Sequence, residues 1–227
     1  EQYDELINEM IKFKGATSQD FKKKMSQVAF TETAYYDALI SNYFIKITNN
    51  HFPRKKIIYG NLIEKLRYGE NPHQKSAIYS QNNFLKIKQL HGKQLSYNNY
   101  NDIFACLSLT KTLPTNRGTV VVKHANPSGV SIETNHLKSY LSAMNCDPVS
   151  AFGGIVACNF KITRQIANEI NKTFFEVIIA KGFHSNALNI LKKKKNMRII
   201  DISNLHNYKN SSIKFFDNSF LLQEENK

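Results

Sequence analysis

The 227-residue chain has no tryptophan, three cysteines and five prolines, and these shortages exclude several kinds of protein. Cys106, Cys146 and Cys158 make neither an even set nor a C-x-x-C pair. A disulfide scaffold is therefore not expected; the pattern fits a reducing, cytoplasmic setting in which most thiols are buried as small hydrophobes. No apolar run approaches the roughly 20 residues that span a bilayer; Phe174 to Ala180 is broken by Glu176. No membrane partner is expected. The opening Glu-Gln-Tyr-Asp lacks an initiator Met, a basic n-region and an apolar h-region, so the chain reads as a piece of something longer. Arginine is scarce too. Of 31 basic residues only five are arginine, at 54, 67, 117, 164 and 198, and the formal charge of +13 rests mainly on lysine. Readers of bases and phosphates lean on the guanidinium fork, so this balance fits biased coding composition, with part of the field serving anionic small substrates rather than nucleic acid. A basic nucleic-acid-binding module is the rival, and steep salt dependence would be its mark.

Familiar catalytic signatures are missing as well. There is no GxGxxG, GxxxxGK[ST] or GxSxG, no HxE with PCxxC, and no His/Cys/Asp set at metal-ligand spacing. Metal-free group transfer is left. With 41% hydrophobic residues the chain has enough apolar surface for a folded core.

Periodicity divides the chain into two textures. Leu6, Ile7, Met10 and Ile11 repeat at helical spacing before Gly15, and Ser18 is placed to cap a second helix through Phe21, Met25, Val28 and Ala29. The pattern resumes at Ala34, Ala38, Leu39 and Tyr43 after an expected break at Thr31-Glu32-Thr33. Residues 49 to 56 mix turn formers with a charge run and are the candidate linker, so the expected division is 1–58 and 59–227. Beyond it, strands are expected at 84–89, 119–123, 154–158, 175–180 and 197–201. Helices are expected at 101–113, 137–144, 163–173 after a Thr163 cap, and 185–195 after a Ser185 cap. Such alternation predicts a layered α/β domain.

Three segments can carry chemistry. Val120-Val121-Val122-Lys123-His124 is an apolar strand ending on two adjacent ionisable groups before a turn. Ligands of open α/β sheets sit beyond carboxyl strand ends, where a lysine supplies fixed charge and a histidine titrates near neutrality. The plainer reading is a strand that ends in polar residues. In Leu66-Arg67-Tyr68-Gly69-Glu70-Asn71-Pro72, the guanidinium fork and phenol suit a phosphate or carboxamide, although a surface turn is the commoner origin of such a pattern. Cys146 to Gly154 leads from a helix into Phe152-Gly153-Gly154. Its glycine amides could approach a ligand, or the glycines could simply permit tight packing. Ser96 to Asp102 reads as a turn capping the helix at 101–113.

Taken together, LRYGENPHQ at 66–74, GKQLSYNNYND at 92–102, VVVKHANPSG at 120–129, CDPVSAFGGIVA at 146–157 and EVIIAKGF at 176–183 resemble, in order, blocks of the bifunctional AICAR transformylase/IMP cyclohydrolase family of purine biosynthesis. Residues 21–44 resemble the close of the family's cyclohydrolase domain. The resemblance implies that 1–58 is the helical remainder of that domain and 59–227 the first transformylase lobe, with a cytidine-deaminase-like α/β fold. It implies formyl transfer from 10-formyltetrahydrofolate, a reduced-folate co-substrate, to the 5-amino group of AICAR, with no metal, in a homodimer. Lys123 and His124 fall on the family's catalytic pair. Arg67 and Tyr68 fall on nucleotide-contacting positions, Asn99 on a site asparagine, and Phe152 with Gly153 on the loop beside the nucleotide. Glu176 falls where some members place an aspartate. The same resemblance sets the cyclohydrolase substrate residues and much of the folate surface outside these 227 residues, so a nucleotide-binding or dimerisation lobe without turnover is the alternative.

Overall fold

The computed structural model describes residues 2–82, 84–205 and 212–224. They form two compact units, one ending at Gly60 and the other beginning at Asn61.

The first unit is helical. α1 (Tyr3–Lys12) ends in a turn where Gly15 takes φ 92°, a left-handed conformation natural to glycine. α2 (Gln19–Ile47) starts at Ser18, whose Oγ accepts from the Phe21 amide at 3.1 Å while Glu9 accepts from the Ser18 amide at 3.0 Å. The expected break at 31–33 is absent, and α2 runs unbroken for 29 residues. Thr33 is accommodated because its hydroxyl donates to the Ala29 carbonyl one turn back, at 3.1 Å. No helix or strand forms between Thr48 and Gly60, a span that contains the candidate linker.

The second unit is mixed α/β. A hairpin of β1 (Asn61–Leu66) and β2 (Ser76–Ser80) precedes β3 (Lys88–His91) and α3 (Tyr97–Thr112). Then come β4 (Gly118–Lys123), β5 (Asn126–Ile132), α4 (His136–Cys146) and the short α5 (Pro148–Ala151). β6 (Ile155–Cys158), α6 (Arg164–Asn171), β7 (Val177–Ala180), α7 (Ser185–Leu191) and β8 (Arg198–Asp201) follow, and a hairpin of β9 (Ser212–Phe216) and β10 (Ser219–Gln223) ends the described chain. The main sheet has the order β3-β8-β7-β6-β4-β5, with β6, β7 and β8 parallel and β4 antiparallel to both its neighbours.

Alternate residues of the central strands enter two separate cores. Val121, Val156, Cys158, Ile178 and Ile199 pack with Tyr140 of α4, Ile166 and Ile170 of α6 and Leu191 of α7. Val120, Val122, Ile155, Val177, Ile179 and Ile200 pack with Ile103, Cys106 and Leu107 of α3 and with Leu66 and Ile78 of the β1–β2 hairpin. A two-residue period feeding two covered faces explains why these strands are apolar throughout. Cys106 and Cys158 are buried, and burial pushes the Cys158 thiol up to about 12; Cys146 is exposed.

Several element ends differ from expectation. The strand expected at 84–89 forms at 88–91, where it can pair with β8. α3 starts four residues before the expected 101 because Ser96 and Asn99 make a reciprocal capping box. Ser185 is the first residue of α7 rather than its cap; His184 holds that position, with no side-chain cap bond. The Asn-Pro-Ser-Gly stretch, which reads as a turn, belongs wholly to edge strand β5, with Pro127 at a bulge opposite Val122.

Gly129 marks the tightest approach in this hairpin. A Cβ there would lie 2.0 Å from the Ala143 carbonyl oxygen of α4. Gly129→Ala should cost at least the upper end of the about 1–3 kcal/mol typical of overpacking, read as a lower urea midpoint at unchanged slope.

Candidate functional site

One edge of the main sheet gathers the chemistry. β4 runs against β6, so its carboxyl end, at Lys123, meets the amino ends of the parallel trio. The candidate residues thus lie beyond the carboxyl end of one strand and before the amino ends of three, not at the carboxyl edge of a parallel sheet. Main-chain bonds continue the ladder past the strands: the Glu176 amide donates to the Gly154 carbonyl at 3.0 Å, and the Arg198 amide to the Glu176 carbonyl at 3.0 Å. Gly154, Glu176 and Arg198 therefore stand in one row.

A cavity of about 330 Å³ opens at this edge. Arg67, Tyr68, Asn99, Lys123, His124, Gly153 and Glu176 all line it, so seven of the eight residues singled out in the sequence converge. Phe152 is the exception. Its ring is exposed and packs against Phe174, with centroids 5.5 Å apart, while its carbonyl accepts from Lys123 Nζ at 3.0 Å. Its place is thus to hold the lysine through the backbone. Lys93, Asp102 and Arg198 also line the cavity. Lys93 and Asp102 lie within the 92–102 block, where the sequence reads only as a helix-capping stretch, and Arg198 lies outside every motif.

The glycine step decides between the two readings of its loop. Gly153 takes φ 75°, and its amide is already bonded to the Phe174 carbonyl at 2.8 Å; the Gly154 amide is bonded to Ala151 at 3.1 Å. A Cβ on Gly154 would lie 2.7 Å from the Val122 carbonyl oxygen. Neither glycine offers a free amide cradle: tight packing accounts for Gly154 and left-handed backbone for Gly153. At the start of α5, Asp147 accepts from the Ser150 amide at 2.9 Å, and hydrogen bonding to Ser150 holds its carboxyl below the usual aspartate range.

Hydrogen bonds also fix the 67–74 turn. The Gly69 amide donates to the Gln74 carbonyl at 2.7 Å, Ser76 Oγ to the Tyr68 carbonyl at 2.6 Å, and Asn98 Nδ2 to the Glu70 carbonyl at 3.3 Å. Arg67 lies over the Tyr68 ring, 5.7 Å from its centroid. Asn99 is buried and serves two masters. Its Oδ1 accepts from the Ser96 amide at 3.1 Å to complete the helix cap, and its Nδ2 donates to Glu176 Oε2 at 2.8 Å. The same Oε2 faces Arg198 Nη1 at 3.7 Å. Arg198 is only 12% exposed, and its buried Nε has no partner. Burial lowers its pKa; Glu176 opposes that shift and Arg67 adds to it. Four cations, Arg67, Lys93, Lys123 and Arg198, face two carboxylates, Asp102 and Glu176, so the lining favours an anionic ligand. Among the described residues no group of His, Cys, Asp and Glu is assembled as a metal site.

A sequence model of the family described as AICARFT/IMPCHase bienzyme matches residues 1–227. The bifunctional purine biosynthesis protein PurH of Thermoanaerobacter sp. strain X514 is 41% identical over 227 residues, 98% of this chain and 44% of the relative. That of Bacillus cytotoxicus is 41% identical over 206 residues, 88% of this chain and 40% of the relative. The chain thus spans less than half the length of these relatives. Among solved structures, the dCMP deaminase of cyanophage S-TIM5 is similar at 10% identity over 44% of this chain and 93% of its own, with a TM-score of 0.33, too slight a likeness to bear on fold or chemistry.

The double role of Asn99 is open to test. Asn99→Asp keeps the oxygen that caps α3 but sets a carboxylate against Glu176. The repulsion exists only when both groups are ionised, so the stability deficit should grow as pH rises from about 4 to about 7, reaching on the order of 1 kcal/mol. Urea unfolding at both pH values measures it, and a deficit independent of pH would leave Asn99 as a cap alone.

Proposed function

The chain belongs to the AICARFT/IMPCHase bienzyme family, and from that membership we propose that its second unit forms the nucleotide side of an AICAR formyltransferase site. Residues 61–227 would be the first transformylase lobe, and the helices before them the close of the cyclohydrolase domain, in a cytoplasmic homodimer. The observation that carries this reading is the convergence of Arg67, Tyr68, Lys123, His124 and Glu176, from three separate segments, on one cationic cavity.

The chemistry follows from the substrate. The AICAR amine is a weak nucleophile because its lone pair is delocalised into the imidazole and its carboxamide. Attack on the formyl carbon of 10-formyltetrahydrofolate therefore needs proton removal as the new C–N bond forms. His124, exposed at the cavity wall, takes that proton directly or orients the carboxamide. Lys123, held by the Phe152 carbonyl, stabilises the oxyanion and supplies a proton to N10 as the old C–N bond breaks. The products are FAICAR and tetrahydrofolate. Arg67, half of a cation–aromatic pair with Tyr68, grips the nucleotide through its planar fork.

Two measurements test this. In the full-length enzyme His124→Ala should lower AICAR-dependent tetrahydrofolate release by about 100- to 10,000-fold while changing AICAR affinity little, and near-normal turnover would remove His124 from the mechanism. Calorimetry with AICAR should show weaker binding to Arg67→Lys, because an ammonium cannot reproduce a bidentate contact; unchanged affinity would return Arg67 to the role of a turn residue.

A further inference from the structure

We propose that Asp102 is a positioning residue for His124, acting as a main-chain clamp and not through its charge. The inference rests on the acid–base role proposed for His124. Lys123 and Asn126 pair across β4 and β5, leaving His124 and Ala125 as a two-residue loop. Both take left-handed backbone conformations, φ 52° and 59°. That is the geometry of a type I′ hairpin turn, which normally recruits Asn and Gly.

The peptide bond between these two residues is held at both ends. The Ala125 amide donates to Asp102 Oδ1 at 2.7 Å, and the His124 carbonyl accepts from Asn126 Nδ2 at 2.9 Å. This peptide is the one whose rotation separates a type I′ turn from a type II′ turn, so the two bonds choose the backbone from which the His124 side chain departs. Asp102 reaches the loop from a rigid base. α3 is locked by the Ser96–Asn99 capping box and by Ile103, Cys106 and Leu107 in the core, and Asp102 lines the same cavity as His124.

The decisive comparison in the intact enzyme is Asp102→Ala against Asp102→Asn, since asparagine keeps an oxygen that accepts from an amide. Asp102→Ala should lower kcat by up to about 100-fold, the scale of an ångström-sized misplacement, with KM for AICAR nearly unchanged. Asp102→Asn should recover most of it. Independently of substrate, hydrogen exchange at the Ala125 amide should be slow in the native enzyme and in Asp102→Asn, and fast in Asp102→Ala. Asn126→Ala releases the carbonyl end and serves if Asp102→Ala does not fold; a kcat-selective loss is expected there too. An Asp102→Asn variant as impaired as Asp102→Ala, or unchanged kcat in Asn126→Ala, would overturn the clamp. If the native enzyme shows no AICAR-dependent formyl transfer, the proposed function fails, while the exchange rates still decide whether Asp102 holds the turn.

Discussion

A row of main-chain hydrogen bonds beyond the strand ends, from Gly154 through Glu176 to Arg198, is the constraint on which the candidate site depends. It extends the parallel ladder of β6, β7 and β8 by one step at their amino ends, so that the loops entering these three strands share one register. β4, running the other way, brings Lys123 to the same edge. The close approach of the Val122 carbonyl to Gly154 makes that alignment possible, because any side chain at Gly154 would push β4 from β6. Glu176 and Arg198 meet across neighbouring strands for the same reason.

Two strained residues stand together where the chemistry is proposed. His124 and Ala125 are consecutive non-glycine residues with positive φ, each costing roughly 1–2 kcal/mol relative to ordinary backbone. Such a conformation persists only where its surroundings over-determine it. Asp102, Asn126 and the paired strands do so here, and the two core layers that seat α3 and β4 bear the cost.

The charges of the cavity are arranged with the same economy of groups. Glu176 Oε2 takes both the Asn99 amide and the Arg198 guanidinium, which leaves its other oxygen without a described protein partner. Arg198, desolvated and with an unpaired Nε, keeps positive charge at the cavity wall without lying open to water. A site with more cations than carboxylates, one of them, Lys123, held by a backbone carbonyl and another, Arg198, by burial, favours anions.

The sequence alone determined what depends on near neighbours. Helical periodicity and Ser18 marked the first unit, apolar runs marked β4, β6, β7 and β8, Thr163 capped α6, and ordered family blocks identified the residues that line the cavity. Local pattern also misled: Thr31-Glu32-Thr33 does not interrupt α2, and Asn126-Pro127-Ser128-Gly129 is strand throughout. Tertiary structure decided what depends on distant partners. It reversed β4 against β6 and spent the Gly153 and Gly154 amides on main-chain hydrogen bonds. It left Phe152 out of the cavity wall, and brought in Asp102, read from sequence only as part of a capping turn, and Arg198, which no motif announced. The physical reason is that strand direction and hydrogen-bond satisfaction are settled by groups 20 to 80 residues away, as in the 23-residue separation of Asp102 from Ala125 and the 77-residue separation of Asn99 from Glu176, and no local window of sequence contains both members of such a pair.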